Sequence, residues 1–355
     1  MADEQQQRFV PEFQIRVDGS DLPADAIADL IAVSVQEDVN HLSAFTITLN
    51  NWDTKKIDMK WSDADLFRVG KQVEVWMGYQ GQLQSIISGE VTGFEIVVKE
   101  KHSPKMIVRG YDRGHRLTRG QRTMSYTDMT DSEIASQIAS NHGLSAEVER
   151  TTETYKYLLQ HAQTDAEFLH ERARRIGFEM FVREKKLYFR ARKYGGQASV
   201  IVSQQKGLLE FSSWLSTMHQ SGTIEMRSWD VTGKSAWVGR AVSGDESAMM
   251  GGKELGLKTA ASAFGDTSIS SAVHPAASLA DADQRALGQL KEMALCYVSA
   301  EGTCIGRTDL RAGALVKVEG MGQRFSGLYY VTATTHSYLP GAGYRTIFQA
   351  RRNAV

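Results

Sequence analysis

The sequence predicts a mainly β fold with α+β content: two antiparallel β-rich units, an α+β segment between them, and a helix-bearing insertion in the second unit. Three observations lead there. Short apolar–polar alternations fill residues 13–112 and return from about Leu208. Two capping boxes open helices in the stretch between. Pieces of the first β region recur in the second.

The first unit opens with Phe13-Gln-Ile15-Arg-Val17, an alternating strand that runs into the tight-turn pair Asp18-Gly19. Further alternations cover Leu30 to Val35, Phe45 to Leu49, Val69 to Met77, Ile86 to Val98 and Met106 to Asp112. In each, side chains of alternate residues fall on one face and can be buried together. About six short strands with Gly-rich turns and no convincing helix make a small antiparallel barrel or sandwich.

After Asp112 the period changes. Thr130-Asp-Ser-Glu133 opens a helix with Ile134, Ala135 and Ile138 on one side, ended by Gly143. Thr164-Asp-Ala-Glu167 opens a second with Phe168, Leu169, Ala173 and Ile176 inward, ended by Gly177. A charged turn, Glu184-Lys185-Lys186, joins strands at Phe178–Arg183 and Leu187–Arg192. Arg172, Arg174 and Arg175, flanked by Glu171 and Glu179, read as a solvated helix face.

Strands return from about Leu208, interrupted by a stretch of unusual composition. Residues 241–280 hold 21 Ala, Ser or Gly among 40. Such a segment offers little apolar area to offset the entropy of ordering, and a long mobile loop is expected. It leads into a helix begun by Ser278-Leu-Ala-Asp281, with Leu287, Leu290, Ala294 and Tyr297 inward and Arg285, Lys291 and Glu292 outward.

Two matches suggest duplication. Thr46–Asp53 recurs as Thr223–Asp230, each ending in Trp-Asp, and Leu66–Val75 recurs as Asp309–Val318 around Gly70 and Gly313. A Ser-Gly pair opens the next strand of each copy at Ser88-Gly89 and Ser326-Gly327. The offsets are 177 and 243, which places a 66-residue insertion inside the second copy. Trp52 and Trp229 are expected to pack in cores at strand ends rather than to stack on a ligand.

Composition narrows the function. At 355 residues the chain can form two to four packed units. Basic and acidic residues number 41 and 42, a net charge of −1, which lacks the basic excess that nucleic-acid backbone binding needs. No run approaches the roughly 20 apolar residues of a membrane span. The polar start from Met1 to Pro11 does not read as a secretory signal, and export is expected to need particle assembly or lysis. Cys296 and Cys304 read as free thiols. No nucleophile elbow, zinc-protease helix, phosphate loop or dinucleotide fingerprint is present. His41, His102, His115, His142, His161, His170, His219, His274 and His336 are scattered, with His161 and His170 expected at the surface or in caps. Asp63 and Asp65 lie on turn-like polar sequence. Neither catalytic residue, metal site nor cofactor is expected, and the chain reads as a structural protein.

The segment Tyr157-Leu-Leu-Gln160-His-Ala-Gln163-Thr-Asp165-Ala-Glu-Phe168-Leu169, running into Arg172-Ala-Arg-Arg-Ile-Gly177-Phe178, resembles the phage late control D proteins. These are baseplate hubs of contractile phage tails, related to the N-terminal half of type VI secretion spike proteins. Leu310-Arg-Ala-Gly313, Gly327-Leu-Tyr-Tyr-Val331, Thr335-His336-Ser-Tyr338 and Gly343-Tyr-Arg-Thr346 resemble the same family's closing pattern, and Val17-Asp18-Gly19 fits its opening. The resemblance implies two tube-like antiparallel β-barrels with an inserted α+β domain. The expected division is 1–112 for the first β-barrel, 113–200 for the α+β domain with two helices, and 201–355 for the second β-barrel. The second is interrupted by the Ala/Ser/Gly-rich loop and helix at about 241–298.

What the resemblance further implies is a homotrimer adapting a sixfold tail tube to a threefold spike, with the tail tube protein, a spike protein and other baseplate or cargo proteins as partners. Because the sequence stops at Val355, just past the second barrel, the spike is expected to be a separate chain. The expected location is the bacterial cytoplasm during assembly and then a phage tail or phage-like injection particle. The competing readings are a tail-tip cell-wall hydrolase, which would need an acidic pair in a cleft, and a glycan-binding adhesin with exposed loop aromatics.

Overall fold

The computed structural model describes residues 10–230, 233–246, 249–272 and 275–355. The polar start at residues 1–9 and His274 lie outside the described residues. Two β units dominate, and they share one 13-stranded sheet. The first unit contains β1 (Pro11–Val17), β2 (Leu30–Asp38), β3 (Ala44–Asn50), β4 (Gln72–Tyr79), β5 (Gln82–Val97) and β6 (Lys105–Asp112). Their alternating pattern puts Ile15, Val33, Ile47, Val75, Ile87 and Val108 into one buried core, with every strand contributing. Each fully buried Val or Ile contributes about 1.5–3 kcal/mol, which is why these six short strands curl around a shared interior.

The chain then builds the α+β unit. It comprises α1 (Asp131–Asn141), β7 (Ser145–Val148), α2 (Asp165–Arg175), β8 (Phe178–Arg183) and β9 (Lys186–Ala191). Both capping boxes form with reciprocal bonds. The Thr130 and Thr164 hydroxyls accept from the Glu133 and Glu167 amides, while each Glu side chain accepts from its threonine amide. Ile134, Ile138, Phe168 and Leu169 pack with Leu187 and Phe189 of β9.

The second unit contains β10 (Val200–Val202), β11 (Leu208–Leu215), β15 (Val298–Ile305), β16 (Leu315–Val318), β17 (Gly327–Leu339) and β18 (Gly343–Arg352). Between β11 and β15 lie β12 (Thr223–Asp230), β13 (Ser235–Val242), α3 (Gly256–Phe264), β14 (Ser268–Ser271) and α4 (Leu279–Leu295). Val202, Leu208, Ala300, Val316, Val331 and Phe348 form the unit's core.

Strand order exposes the duplication. The first unit runs β2-β3-β6-β5-β4-β1 and the second β11-β15-β18-β17-β16-β10. Local details repeat as well. Thr92 bulges between β5 and β6 and donates to the Arg109 carbonyl; Thr332 bulges between β17 and β18 and donates to the Gln349 carbonyl. The Gly70 amide bonds the Val91 carbonyl at 2.8 Å, and the Gly313 amide bonds the Val331 carbonyl at 2.8 Å. Both glycines have positive φ, +91° and +77°, a conformation that a side chain would strain. One difference stands out: β1 is antiparallel to β4, whereas β10 is parallel to β16.

Several sequence expectations need correction. The Leu66–Val75 match to Asp309–Val318 agrees with the register, but Thr223–Asp230 is not the second copy of Thr46–Asp53. It forms β12, inside the insertion, in a separate three-stranded sheet with β13 and β14. The strand equivalent to β3 is β15. The Ser-Gly pairs are also out of step, since Gly89 lies opposite Val73 whereas Tyr329 lies opposite the equivalent Val316.

The described part of 241–280 is structured rather than a long loop, containing α3 and β14. Its small residues serve close packing. Leu257 and Ala260 of α3 are buried. Gly256 lies where a Cβ would meet the Tyr297 ring at 2.2 Å, and Lys253 and Glu254 donate to the Val355 carbonyl. Arg285 points inward, paired with Asp281 at 2.6 and 2.8 Å, because α4 is covered by the insertion sheet on one side and by α2 on the other. Arg172 and Glu179 are buried too: Arg172 grips Asp131 at 2.6 Å, and Glu179 accepts from Arg190 at 2.9 Å. Only Arg174 of that arginine trio is exposed. Trp229 is 58% exposed and packs in no core, whereas Trp52 is half-buried.

Among the described residues, no helix is long and apolar enough to cross a membrane.

Candidate functional site: the seam and the strand edges

Where the two units meet, the second half of β17 pairs antiparallel with β2. Ala333 lies opposite Asp38 and Tyr338 opposite Val33. This seam makes one sheet of two units, and it is built around a buried charge. The Glu37 carboxylate, 4% exposed, receives Arg311 Nε at 2.7 Å and Nη2 at 2.6 Å. The same guanidinium donates to the Ser85 and Ile86 carbonyls of β5. Arg183 of β8 sits 3.3 Å from Glu37, and the Thr334 hydroxyl donates to it at 3.2 Å. Burial would raise the Glu37 pKa, but Arg311, Arg183 and His336 outweigh it and hold the carboxyl at about 2.

His336 is fully buried two positions along β17, with its Nδ1 2.7 Å from the Tyr344 hydroxyl and 3.2 Å from that of Thr346. Burial pushes its pKa down to about 4, against the pull of Glu37. The imidazole is therefore neutral at pH 7, as suits a group beside guanidiniums in a dry interior.

The α+β unit buttresses this seam. Arg183 donates to the Ala312 carbonyl at 2.7 Å and Arg190 to that of Gly313 at 3.3 Å. Tyr330 of β17 hydrogen-bonds Glu179 of β8. The sequence motif that carries the family resemblance explains how the unit is held. Gln160, fully buried, accepts from Tyr126 and donates to Asp165 at the start of α2, and His142 lies 2.7 Å from the same carboxylate. Those residues order the start of α2.

Among the described residues, two edges of the large sheet combine backbone without a partner strand and exposed apolar side chains. Beyond the Thr92 bulge, β5 pairs with β6 on one side only, and β11 pairs with β15 on one side only. Phe94, Ile96 and Val98 are 47%, 47% and 65% exposed along the first edge, and Trp214 is 56% exposed on the second. An edge that displays both unpaired backbone and apolar side chains is a template for another strand.

Asp63 is exposed on a turn and Asp65 is exposed at the start of the short 3-10 helix Asp65–Phe67. A surface cleft lined by Glu167, Glu171, Glu179 and Glu292 also holds arginines. Glu171 pairs with Arg175, Glu179 with Arg190 and Glu292 with Arg192, while Glu167 caps α2. Among the described residues, no three His, Cys, Asp or Glu side chains group to hold a metal ion. His115 hydrogen-bonds Glu90 at 2.8 Å, and His41, His102, His161 and His219 are exposed. The buried Cys304 thiol is pushed up to about 12 by desolvation and Cys296 caps α4; neither forms a disulfide. The seam charges escaped sequence reasoning because Glu37 and Arg311 lie in different copies of the repeat.

Solved structures share this fold across nearly the whole chain. The 43 kDa tail protein of prophage MuSo2 from Shewanella oneidensis is 12% identical with a TM-score of 0.72, covering 96% of this chain and 98% of that one. The tail protein from Neisseria meningitidis MC58 is 12% identical with a TM-score of 0.69, covering 96% of each chain. The E. coli c3393 protein, a type VI secretion component similar to the T4 bacteriophage tail proteins gp27 and gp5, is 12% identical with a TM-score of 0.62. It covers 96% of this chain and 77% of that one. The fold is thus the one expected from the resemblance to tail-hub proteins. No curated protein matches the sequence. The family model described as the Alg8 N-terminal domain matches residues 7–339, and the chain belongs to that family.

Proposed function

We propose that this chain is the structural hub of a contractile injection machine or phage tail baseplate, a homotrimer that adapts a sixfold tail tube to a threefold spike. The observation that carries the reading is the repeated strand order within one sheet. Each chain presents two similar but unequal β units side by side, so three copies supply six. A ring so built is close to sixfold in its β units. It is threefold in its α+β units and insertions, which occur once per chain.

The partners under this reading are the tail tube protein on one side and a spike protein on the other, with the hub working as part of an assembled particle made in the bacterial cytoplasm. The proposed working division is a first barrel to residue 112, the α+β domain to residue 200, and the second barrel with its insertion thereafter. A non-enzymatic role accords with the carboxylates of the acidic cleft, of which Glu171, Glu179 and Glu292 pair with arginines and Glu167 caps α2. The hydrolase reading would need a free acidic pair in a cleft, and the cleft carboxylates named above are paired or capping.

Light scattering on the purified chain, alone and with its tube and spike proteins, tests the proposal. A mass of three chains is expected. A monomer in the presence of both partners would sink it.

A further inference from the structure

The repeat makes a prediction about the unpartnered edges. The Thr92 and Thr332 bulges align β5 with β17, so Gly93 takes the position of Ala333. Bulges between Leu30 and Ala32 and between Leu208 and Glu210 align β2 with β11, so Ser216 takes the position of Asp38. Within the chain, the β17 edge is filled by β2. Among the described residues, no strand pairs with its counterpart, the β5 edge beyond Thr92, or with the outer edge of β11, the counterpart of β2. A chain cannot fill both, because its own β17–β2 seam already fixes the placement of its two units.

We propose that β11 of a second copy of this chain docks antiparallel on β5, with Gly93 opposite Ser216 and Glu95 opposite Trp214. The register is that of the internal seam transferred by the repeat. There the Val39 amide donates to the Thr332 carbonyl at 3.0 Å, and the transferred bond runs from the Thr217 amide to the Thr92 carbonyl. The contact rests on the homotrimer reading and specifies its interface. Each chain offers one β5 edge and one β11 edge, so the contact is head to tail and closes into a ring when the rotation returns to its start.

Side-chain chemistry supports the occupant. On the face that buries Glu37 and His336 in the internal seam, the new seam brings Phe94, Ile96 and Val98 opposite Leu215, Ser213 and Phe211, the Ser213 hydroxyl being already bonded to the Ser299 carbonyl. The register position of Glu37 is taken by Leu215, so no buried charge seeks a partner there. The internal seam is ionic and the intermolecular one apolar, and this difference keeps β11 from competing with β2 for β17. Pairing with the wrong strand would leave Glu37 or Arg311 buried without its partner.

Disulfide trapping in the full-length chain tests this register. Directly opposed side chains have Cβ atoms about 4.5–5.5 Å apart, close enough to be bridged after small shifts. Glu95→Cys and Trp214→Cys together are expected to give a covalent trimer on oxidation, while each single variant stays monomeric on non-reducing gels. The slipped pair Glu95→Cys with Ser213→Cys is expected not to link, because one residue of slip turns the side chain to the other face. Ile96→Asp is expected to abolish the trimer in light scattering while the circular dichroism spectrum is retained. A wild-type trimer in which the slipped pair links as well as the designed pair, or neither links, would overturn the register and leave the homotrimer standing. A wild-type monomer even with tube and spike present would overturn both.

Discussion

Arg311 and Glu37, 274 residues apart in the sequence, form a two-pronged ion pair at 2.6 and 2.7 Å across the seam between the β units. Both are largely buried, with side-chain exposures of 16% and 4%. Removing one partner leaves the other charge desolvated and uncompensated. Glu37→Gln and Arg311→Ala are each expected to destabilise the chain by about 3–5 kcal/mol in urea unfolding. The double variant Glu37→Leu with Arg311→Met is expected to recover most of that loss, since apolar side chains of similar volume can replace a buried pair at little net cost. If the double variant Glu37→Gln with Arg311→Ala were as unstable as the sum of its two singles, the pair would not be coupled.

The same seam sets an acid dependence. His336 is held at about 4 against an ordinary value of 6.5. In that window the unfolded chain takes up a proton that the folded chain refuses, so the stability conferred by the neutral imidazole is present above 6.5 and lost as pH falls to 4. The full loss is on the order of 3 kcal/mol. Glu37, held at about 2 against 4.5, acts in the same direction lower down, its contribution lost as pH falls from 4.5 to 2. Asp112 opposes them. Burial raises it to about 6 despite bonds from the Ser43 and Gly114 amides, so its contribution is present below 3.8 and lost as pH rises to 6. The clean readout is a difference: stability of wild type minus His336→Gln should fall by about 3 kcal/mol from pH 7 to pH 4. An unchanged difference would refute the role given to the imidazole.

The parts of the fold legible in the sequence were those whose signal is local. A capping box needs four consecutive residues, and both predicted boxes formed; a strand needs only alternation, and Phe45-Thr-Ile47-Thr-Leu49 became β3 with all three apolar side chains buried. What failed depended on neighbours remote in the chain. Arg285 follows the pattern of a solvent-facing helical residue, yet Tyr155 and Asp281 meet there once the α+β unit packs on the insertion. Strand texture and a Trp-Asp ending signal a repeat without specifying its register, whereas the bulge shared by Thr92 and Thr332 fixes it. The seam itself was invisible, since neither Glu37 nor Arg311 differs locally from an exposed charge.

The local signals also carry a testable weight. The Thr164 hydroxyl accepts from the Glu167 amide at 3.1 Å, and the Thr164 amide donates the reciprocal bond to the Glu167 carboxylate at 2.8 Å. Thr164→Ala removes the hydroxyl and is expected to cost about 1 kcal/mol. Thr164→Ser keeps the acceptor and is expected to stay within about 0.5 kcal/mol of wild type. Equal losses in the two would argue that packing of the threonine methyl, and not the cap, holds the start of α2. Denaturant unfolding distinguishes them.

Gly288 of α4 and Gly177 just after α2 offer a test of how the insertion is docked. A Cβ at Gly288 would lie 2.6 Å from the Gly177 amide nitrogen and 2.8 Å from the Ile176 carbonyl carbon. Both are backbone atoms and cannot swing aside. Inside a helix, alanine is ordinarily about 1 kcal/mol better than glycine, so helix propensity alone predicts that Gly288→Ala stabilises. The contact predicts the opposite sign: α4 must move off the α+β unit, straining the pocket that buries Asp281 and Arg285. Gly288→Ala is expected to destabilise by about 1–3 kcal/mol net of the propensity gain, and hydrogen exchange should quicken in α4 and around Gly177. Gln289→Ala, on a partly exposed face of the same helix, is expected to change little. If Gly288→Ala instead raised stability with exchange unaltered, the close approach would not be what seats the insertion.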